Sequence, residues 1–274
     1  MVTDILAEVG KHVSGRWFTA VLLPGLLLVT VAAAGFHLGH DQALDVGRLT
    51  VWADGLVRGW RDRPVRAVVE AGLALLAAGV AGTTAGELGR VVERVWLRAG
   101  ASSGGSRRRR ALRAAKRDGV TVVEAYLPQR PTWMSDRVRL VEARIRAQYW
   151  FDAAAAWPRL WLLVGDEVRR SVVDARIGFS EAVTLAGWGC LYLLAGIFWW
   201  PALIAGACVL LVAWRRARGA LEEFATLIEA VIDVHHRALA EALGVPLGAE
   251  GVTEVEGRRI DDILRKGGSG HHTS

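Results

Sequence analysis

The sequence predicts an all-α integral membrane protein, with four transmembrane helices and a small helical cytoplasmic domain. Three observations lead there. Residues 181–214 (EAVTLAGWGCLYLLAGIFWWPALIAGACVLLVAW) carry a single charge, Glu181, at their start. Two further apolar runs lie upstream, and the mean hydropathy of the chain is +0.27. Finally, the positive charge is unevenly placed: 19 Lys and Arg against 9 Asp and Glu fall between Arg90 and Arg176. One helical crossing needs roughly 20 apolar residues, at about 1.5 Å rise per residue through a core about 30 Å thick. The 181–214 stretch is long enough for a hairpin, and Trp199-Trp200-Pro201 is its natural break. Proline suits the first turn of a new helix, and tryptophan rings favour the headgroup level. Residues 181–199 are therefore TM3 and residues 201–214 TM4.

In chain order, residues 1–16 read as an amphipathic helix, with Ile5, Leu6, Val9 and Val13 at helical spacing. Residues 17–38 are TM1, with Pro24-Gly25 near its start. Residues 39–63 form an extracellular loop with four Asp balanced by four Arg. Val46, Leu49, Trp52, Leu56 and Trp60 give that loop a short surface helix. Residues 64–98 are TM2 and its cytoplasmic extension. This helix carries Gly82 and Gly86 four residues apart, a spacing that lets helix backbones approach. Thr83, Thr84 and Glu87 lie beside them, and Glu70 sits near the other end. Ionisable groups at membrane depth mark conduits or helix ends. Glu70, Gly82, Thr83, Thr84, Gly86 and Glu87 are thus the candidates for a pore lining or a helix-packing face.

Residues 99–180 form the basic cytoplasmic domain. They open on a flexible basic linker, Gly100 to Gly105 (GASSGG) and then Arg107, Arg108, Arg109 and Arg110. The positive-inside rule places this segment in the cytoplasm, and Arg215, Arg216 and Arg218 after TM4 agree. Hence the expectation of a multi-pass plasma-membrane protein with both termini cytoplasmic. Met134, Val138, Val141, Ile145 and Tyr149 make a helical stripe, with Arg137, Arg139, Arg144 and Arg146 largely off it. Residues 120–127 read equally as a strand or a helix end. Leu221, Phe224, Ile228 and Val231 carry TM4 onward as a cytoplasmic extension over residues 215–243. Gly244 with Pro246 stops it. Residues 244–274 read as a flexible polar tail.

Pro131-Thr132-Trp133-Met134-Ser135-Asp136-Arg137, then Glu142, Tyr149-Trp150-Phe151-Asp152 and Trp157-Pro158-Arg159-Leu160-Trp161, form the most distinctive run. It resembles a pattern in bacterial, mainly actinobacterial, multi-span membrane proteins to which no activity is assigned. There a Leu-Pro-Thr-x-x-Gly-Asn-like segment leads to a Glu, a Tyr-Gly-x-Asp and a Trp-Pro-Arg-Leu. This chain has Ser135 for Gly, Asp136 for Asn and Trp150 for Gly. The resemblance covers about thirty residues and the order of spans, and it implies architecture and setting only.

Two readings stand for the aromatic and basic residues. Trp157 and Trp161 lie one helical turn apart, and Pro158 can start a helix there. Arg107 to Arg110 with Trp157, Arg159 and Trp161 make a patch for an anionic lipid headgroup, a nucleotide or a cytoplasmic protein partner. Alternatively, the tryptophans are the small core of the cytoplasmic domain, packed on the extension of TM4. The arginine run lacks the interleaved aromatics that favour single-stranded nucleic acid, so nucleic acid is not the expected partner. Glu229, Asp233 and His236 share a helix face but make an incomplete metal set, with Arg237 adjoining. No phosphate loop, zinc-protease signature or nucleophile motif occurs, so neither an enzyme nor a cofactor is implied. Cys190 and Cys208, one in each arm of the hairpin, are expected as free thiols. The functional expectation is a membrane anchor, scaffold or sensor holding a cytoplasmic partner. The alternative is a homo-oligomeric channel lined by TM2.

Overall fold

The computed structural model describes residues 22–98, 105–119, 127–248 and 251–265. The expected N-terminal amphipathic helix, the start of TM1 and most of residues 120–127 lie outside them. The described residues fold into helices: α1 (Leu23–Leu38), α2 (Val46–Asp62), α3 (Pro64–Trp96), α4 (Gly105–Asp118), α5 (Trp133–Tyr149), α6 (Ala153–Leu163), α7 (Asp166–Ala195), α8 (Trp200–Ala242) and α9 (Glu254–Leu264). The protein is all-α, as expected. Three helices, α3, α7 and α8, are long and apolar enough to cross a membrane. α1 is apolar but has 16 residues in its described length.

The chain divides into two compact units. The first holds residues up to Glu93 together with Ser180–Arg216. Small residues set its helix contacts. A Cβ on Gly25 of α1 would lie 2.6 Å from the Ala78 carbonyl oxygen of α3. Gly187 of α7 has no room for a Cβ at all, because the Ala85 carbonyl of α3 occupies that place. A Cβ on Gly206 of α8 would lie 2.6 Å from the Leu193 amide nitrogen of α7, so this glycine closes the hairpin. The hairpin itself turns at Gly196–Trp199, a few residues before the expected break, and Trp200-Pro201 opens α8. The Trp199 indole Nε1 donates to the Ala43 carbonyl at 3.1 Å. α2 is the helix expected in the loop, and Asp45 caps it by accepting from the Arg48 amide at 3.0 Å.

The second unit holds Arg94–Phe179 and Ala217–Ser274. Its core joins Val141, Ile145 and Tyr149 of α5, Ala156 and Leu160 of α6, Ile232 and Leu239 of α8, and Ile260 and Leu264 of α9. The α5 stripe is thus inward, as its spacing predicts. α8 runs unbroken for 43 residues, about 65 Å at the helical rise. Gly244, at φ +70°, follows it in the left-handed turn that glycine favours.

Three expectations need correction. Arg107 to Arg110 belong to helix α4, not to a flexible linker. Pro158 lies inside α6, which begins earlier, where the Asp152 side chain accepts from the Ala154 amide at 2.9 Å. Residues 254–264 are a docked helix, not a loose tail. Thr253 and Glu256 form a capping box at its start, and Ile260 and Leu264, four apart, enter the core. Gly257 makes that docking close, since a Cβ there would collide with the Tyr149 carbonyl and come within 2.6 Å of the Trp150 Cβ.

Candidate functional site

The Pro131–Arg137 run forms a polar clamp in the second unit. Thr132 Oγ accepts from the Ser135 amide at 3.1 Å and so caps α5, while its hydroxyl donates to the Trp96 carbonyl at the end of α3. Ser135 Oγ donates to the Arg98 carbonyl at 2.9 Å. The last carbonyls of a helix have no partner within it, and the clamp supplies partners to this end of α3. Asp136, 2% exposed, accepts from the Gln129 amide at 3.1 Å, from the Arg130 amide at 3.3 Å and from Arg139 Nε at 3.1 Å. Arg107 of α4 approaches the same carboxylate at 3.6 Å and donates to the Arg130 carbonyl at 3.1 Å.

Arg137 extends the clamp to α8. Its Nε donates to both Glu222 oxygens, at 3.0 and 3.1 Å, and its Nη1 donates to Glu229 at 3.0 Å. Arg144 joins Glu229 at 3.3 Å. Arg137 is therefore not on a solvated basic face, as its place off the stripe suggested. Burial alone would lower its pKa, but the hydrogen bond and charge of Glu229, with Glu222, raise it. Arg137 is buried but Glu222 is half-exposed and Glu229 partly so, and losing either partner costs less than it would in a fully buried pair. At the start of α5, Arg218 lies 4.2 Å from the centre of the Trp133 ring. One seven-residue run thus touches the end of α3, the start of α4 and two turns of α8.

Further along α5, the Tyr149 hydroxyl donates to Asp233 at 2.9 Å and accepts from Gln148 Nε2 at 3.0 Å. Burial and the Asp233 carboxylate push its pKa up to about 12. The His236 ring lies 4.9 Å from the Tyr149 ring, and its Nδ1 is 2.9 Å from the Asp233 carbonyl. Asp233 and Glu229 are thus engaged by Tyr149 and by arginines. Among the described residues no group of three His, Cys, Asp or Glu is placed to hold a metal.

The other sequence candidates fall as follows. Glu70 accepts from Trp60 Nε1 at 2.6 Å and from Arg66 Nε at 2.7 Å, in a recess that His37 and Trp52 share. Thr83 and Thr84 are exposed, and both hydroxyls donate to the Val80 carbonyl at 2.8 Å. Glu87 pairs with Arg90. Gly82 and Gly86 are half-buried, and a Cβ on Gly86 would meet open space. Among the described residues the close contacts of α3 run through Ala78, Ala85 and Gly89. Trp157 and Trp161 pack with ring centres 5.8 Å apart, and Arg159 Nη1 donates to the Ala155 carbonyl at 3.0 Å. Trp157 also lines an apolar groove of about 210 Å³ with Val138, Val141, Leu221, Phe224 and Ile228. Trp157 thus lines a groove with residues of α8, neither tryptophan belongs to the core cluster, and Arg107 turns toward Asp136. The two halves of the expected patch are held by different partners.

A sequence reading singles out the Pro131–Arg137 run as distinctive but does not find its role. The missing signal was the pairing of Arg137 with Glu222 and Glu229, 85 and 92 residues away. No family model, curated protein or solved structure matches this chain.

Proposed function

We propose that the protein is a non-catalytic, multi-pass plasma-membrane scaffold or sensor, whose second unit holds a cytoplasmic protein partner. In this reading α1 is the fourth span and residues 99–180 and 215–274 are cytoplasmic. The observation that carries it is continuity. All three long apolar helices contribute residues to the second unit: α3 its end, α7 its first half and α8 its second half. The clamp residues then bind the end of α3 and α8 to the first turn of α5. A shift in α3 is felt at Thr132 and Ser135 and a shift in α8 at Arg137, so partner occupancy and membrane state are linked.

The groove at Trp157 is the accessible apolar feature of that unit, and it marks where a partner is sought. A photoreactive side chain placed at Trp157 in the full chain, in native membranes, is expected to give one reproducible adduct with a second protein. Only self-adducts, or none, would count against the reading. A homo-oligomeric pore lined by α3 is the second reading. Its support is that only 6% of the apolar window of α3 is buried, with Thr83, Thr84 and Glu87 exposed on the helix.

A further inference from the structure

Helix α4 divides its charges by face. Its half-buried residues are Arg107, Arg108, Ala111 and Ala115, and Arg107 reaches inward to Asp136 and the Arg130 carbonyl. Arg109, Arg110, Arg113, Lys116 and Arg117 are exposed. At about 100° per residue, those five cations fall within an arc of roughly 120°. Asp118, beside Arg117 at 3.2 Å, is the acid of the helix, and that surface pair is worth little. No ion pair of Arg109, Arg110, Arg113 or Lys116 forms among the described residues. Like charges packed this densely repel one another unless a counter-surface faces them.

The clamp says what that surface is. Arg107 at the start of α4, and the Trp96 and Arg98 carbonyls at the end of α3, are bound by Thr132 and the first turn of α5. Trp133 in that turn also carries Arg218, which follows the apolar part of α8 by a turn. Helix α4 is therefore fastened, through Arg107, to the same turn of α5 that holds the end of α3 and touches α8, two helices apolar enough to span a bilayer. Only residues 97–104 separate α3 from α4, and they reach roughly 30 Å at most.

We propose that α4 is a membrane-surface helix whose arc of Arg109, Arg110, Arg113, Lys116 and Arg117 lies on anionic phospholipid headgroups, with Arg107 fastening it to the clamp. Basic residues near such a leaflet are attracted within about a Debye length. Five cations in one arc give that attraction a direction, and the tether to Asp136 passes the helix's position to the α3–α8 junction. The arc holds no aromatic side chain to stack a base, so headgroups are favoured over single-stranded nucleic acid. This proposal rests on the membrane reading of α3, α7 and α8, and not on the cytoplasmic partner.

The test uses the full chain with Cys190→Ala and Cys208→Ala, and a polarity-sensitive dye on Leu112→Cys, at the edge of the arc. The chain is placed in nanodiscs of phosphatidylcholine alone, or with roughly a third phosphatidylglycerol, each with headgroup-nitroxide lipid. Quenching is expected in the anionic discs, and its loss at about 1 M NaCl, where the Debye length is about 3 Å. Lipid and salt act on the unsubstituted arc, so this result does not depend on any arc variant folding. Replacing all five cations with Gln removes the quench, whereas Arg107→Gln, which loosens the tether, leaves a salt-sensitive quench. Equal quenching in both lipids overturns the proposal. So does binding of a labelled single-stranded oligonucleotide in neutral discs that the five-Gln variant abolishes, with no lipid-dependent quench. Extraction of the chain from the bilayer by alkaline carbonate would overturn the membrane reading itself. A chain that inserts but shows no lipid response defeats the α4 proposal alone.

Discussion

Tyr149 carries a consequence that its sequence context hides. As the last residue of an amphipathic stripe it reads as core, and it is core, 6% exposed. Yet its hydroxyl is bonded to Asp233, and burial with that carboxylate raises the pKa to about 12, above its ordinary value near 10. Deprotonation would place a phenolate against a carboxylate. The folded chain therefore holds this proton more tightly than the unfolded chain. Its contribution to stability is complete below about pH 10 and is lost as pH rises toward about 12, at roughly 1–2 kcal/mol. Unfolding of the detergent-solubilised chain across that range should show a falling midpoint, and Tyr149→Phe should flatten the fall. An equal fall in the variant would mean that other groups produce it. Trp150, next in the chain, was legible only as an anomaly. It sits at φ +62°, the left-handed conformation that costs a bulky residue about 1–2 kcal/mol. A sequence shows the odd residue but not the dihedral that makes it costly.

At the scale of elements, periodicity found the helices that bury a full stripe and missed those that do not. The α5 stripe and the long run of α8 were legible because apolar residues recur every third or fourth place. α9 was not, because EVEGRRIDDIL shows only Ile260 and Leu264 to the core and six of its eleven residues are charged. Its docking instead depends on Gly257, which spacing cannot reveal. Gly257→Ala should drive α9 off Tyr149 and Trp150, at about 1–3 kcal/mol. Limited proteolysis of the full chain should then cut within residues 251–265, where the unsubstituted chain is protected. The glycines of α3 teach the same lesson in reverse. The Gly82–Gly86 spacing was legible, but the close contact in this chain pairs Ala85 and Gly89 with Gly187 and Val183. Gly187→Ala should lower the thermal midpoint in detergent, since the Ala85 carbonyl stands where the methyl would go. Gly86→Ala should hold or raise it, by up to about 1 kcal/mol, because the space is open and Ala is the better helix former. Equal effects at the two sites would show that α3 and α7 are not in close backbone contact at Gly187.

For the whole molecule, the question is what covers α3. Val65, Val68, Leu73, Leu76 and Val80 are each at least 60% exposed, an apolar surface that water does not tolerate at this extent. Lipid can cover it, and so can the same helix of a second copy, approaching closely at Gly86, where a Cβ would meet open space. The polar groups on α3 argue against a conduit. Thr83 and Thr84 satisfy their hydroxyls on the Val80 carbonyl, Glu87 is paired with Arg90, and Glu70 is held by Trp60 and Arg66. A pore lining keeps such groups turned to water or ions, whereas here each is answered by its own helix or by α2. A dimer is therefore expected when the mass of the purified chain in detergent is measured and corrected for bound detergent. A monomer would leave α3 to lipid and remove Gly82 and Gly86 from any interface. A closed ring of four or more would reverse the ranking, since α3 helices could then surround a shared axis. In that case Glu70→Gln and Glu87→Gln should change ion selectivity in liposomes, because opening each pair would be part of conduction.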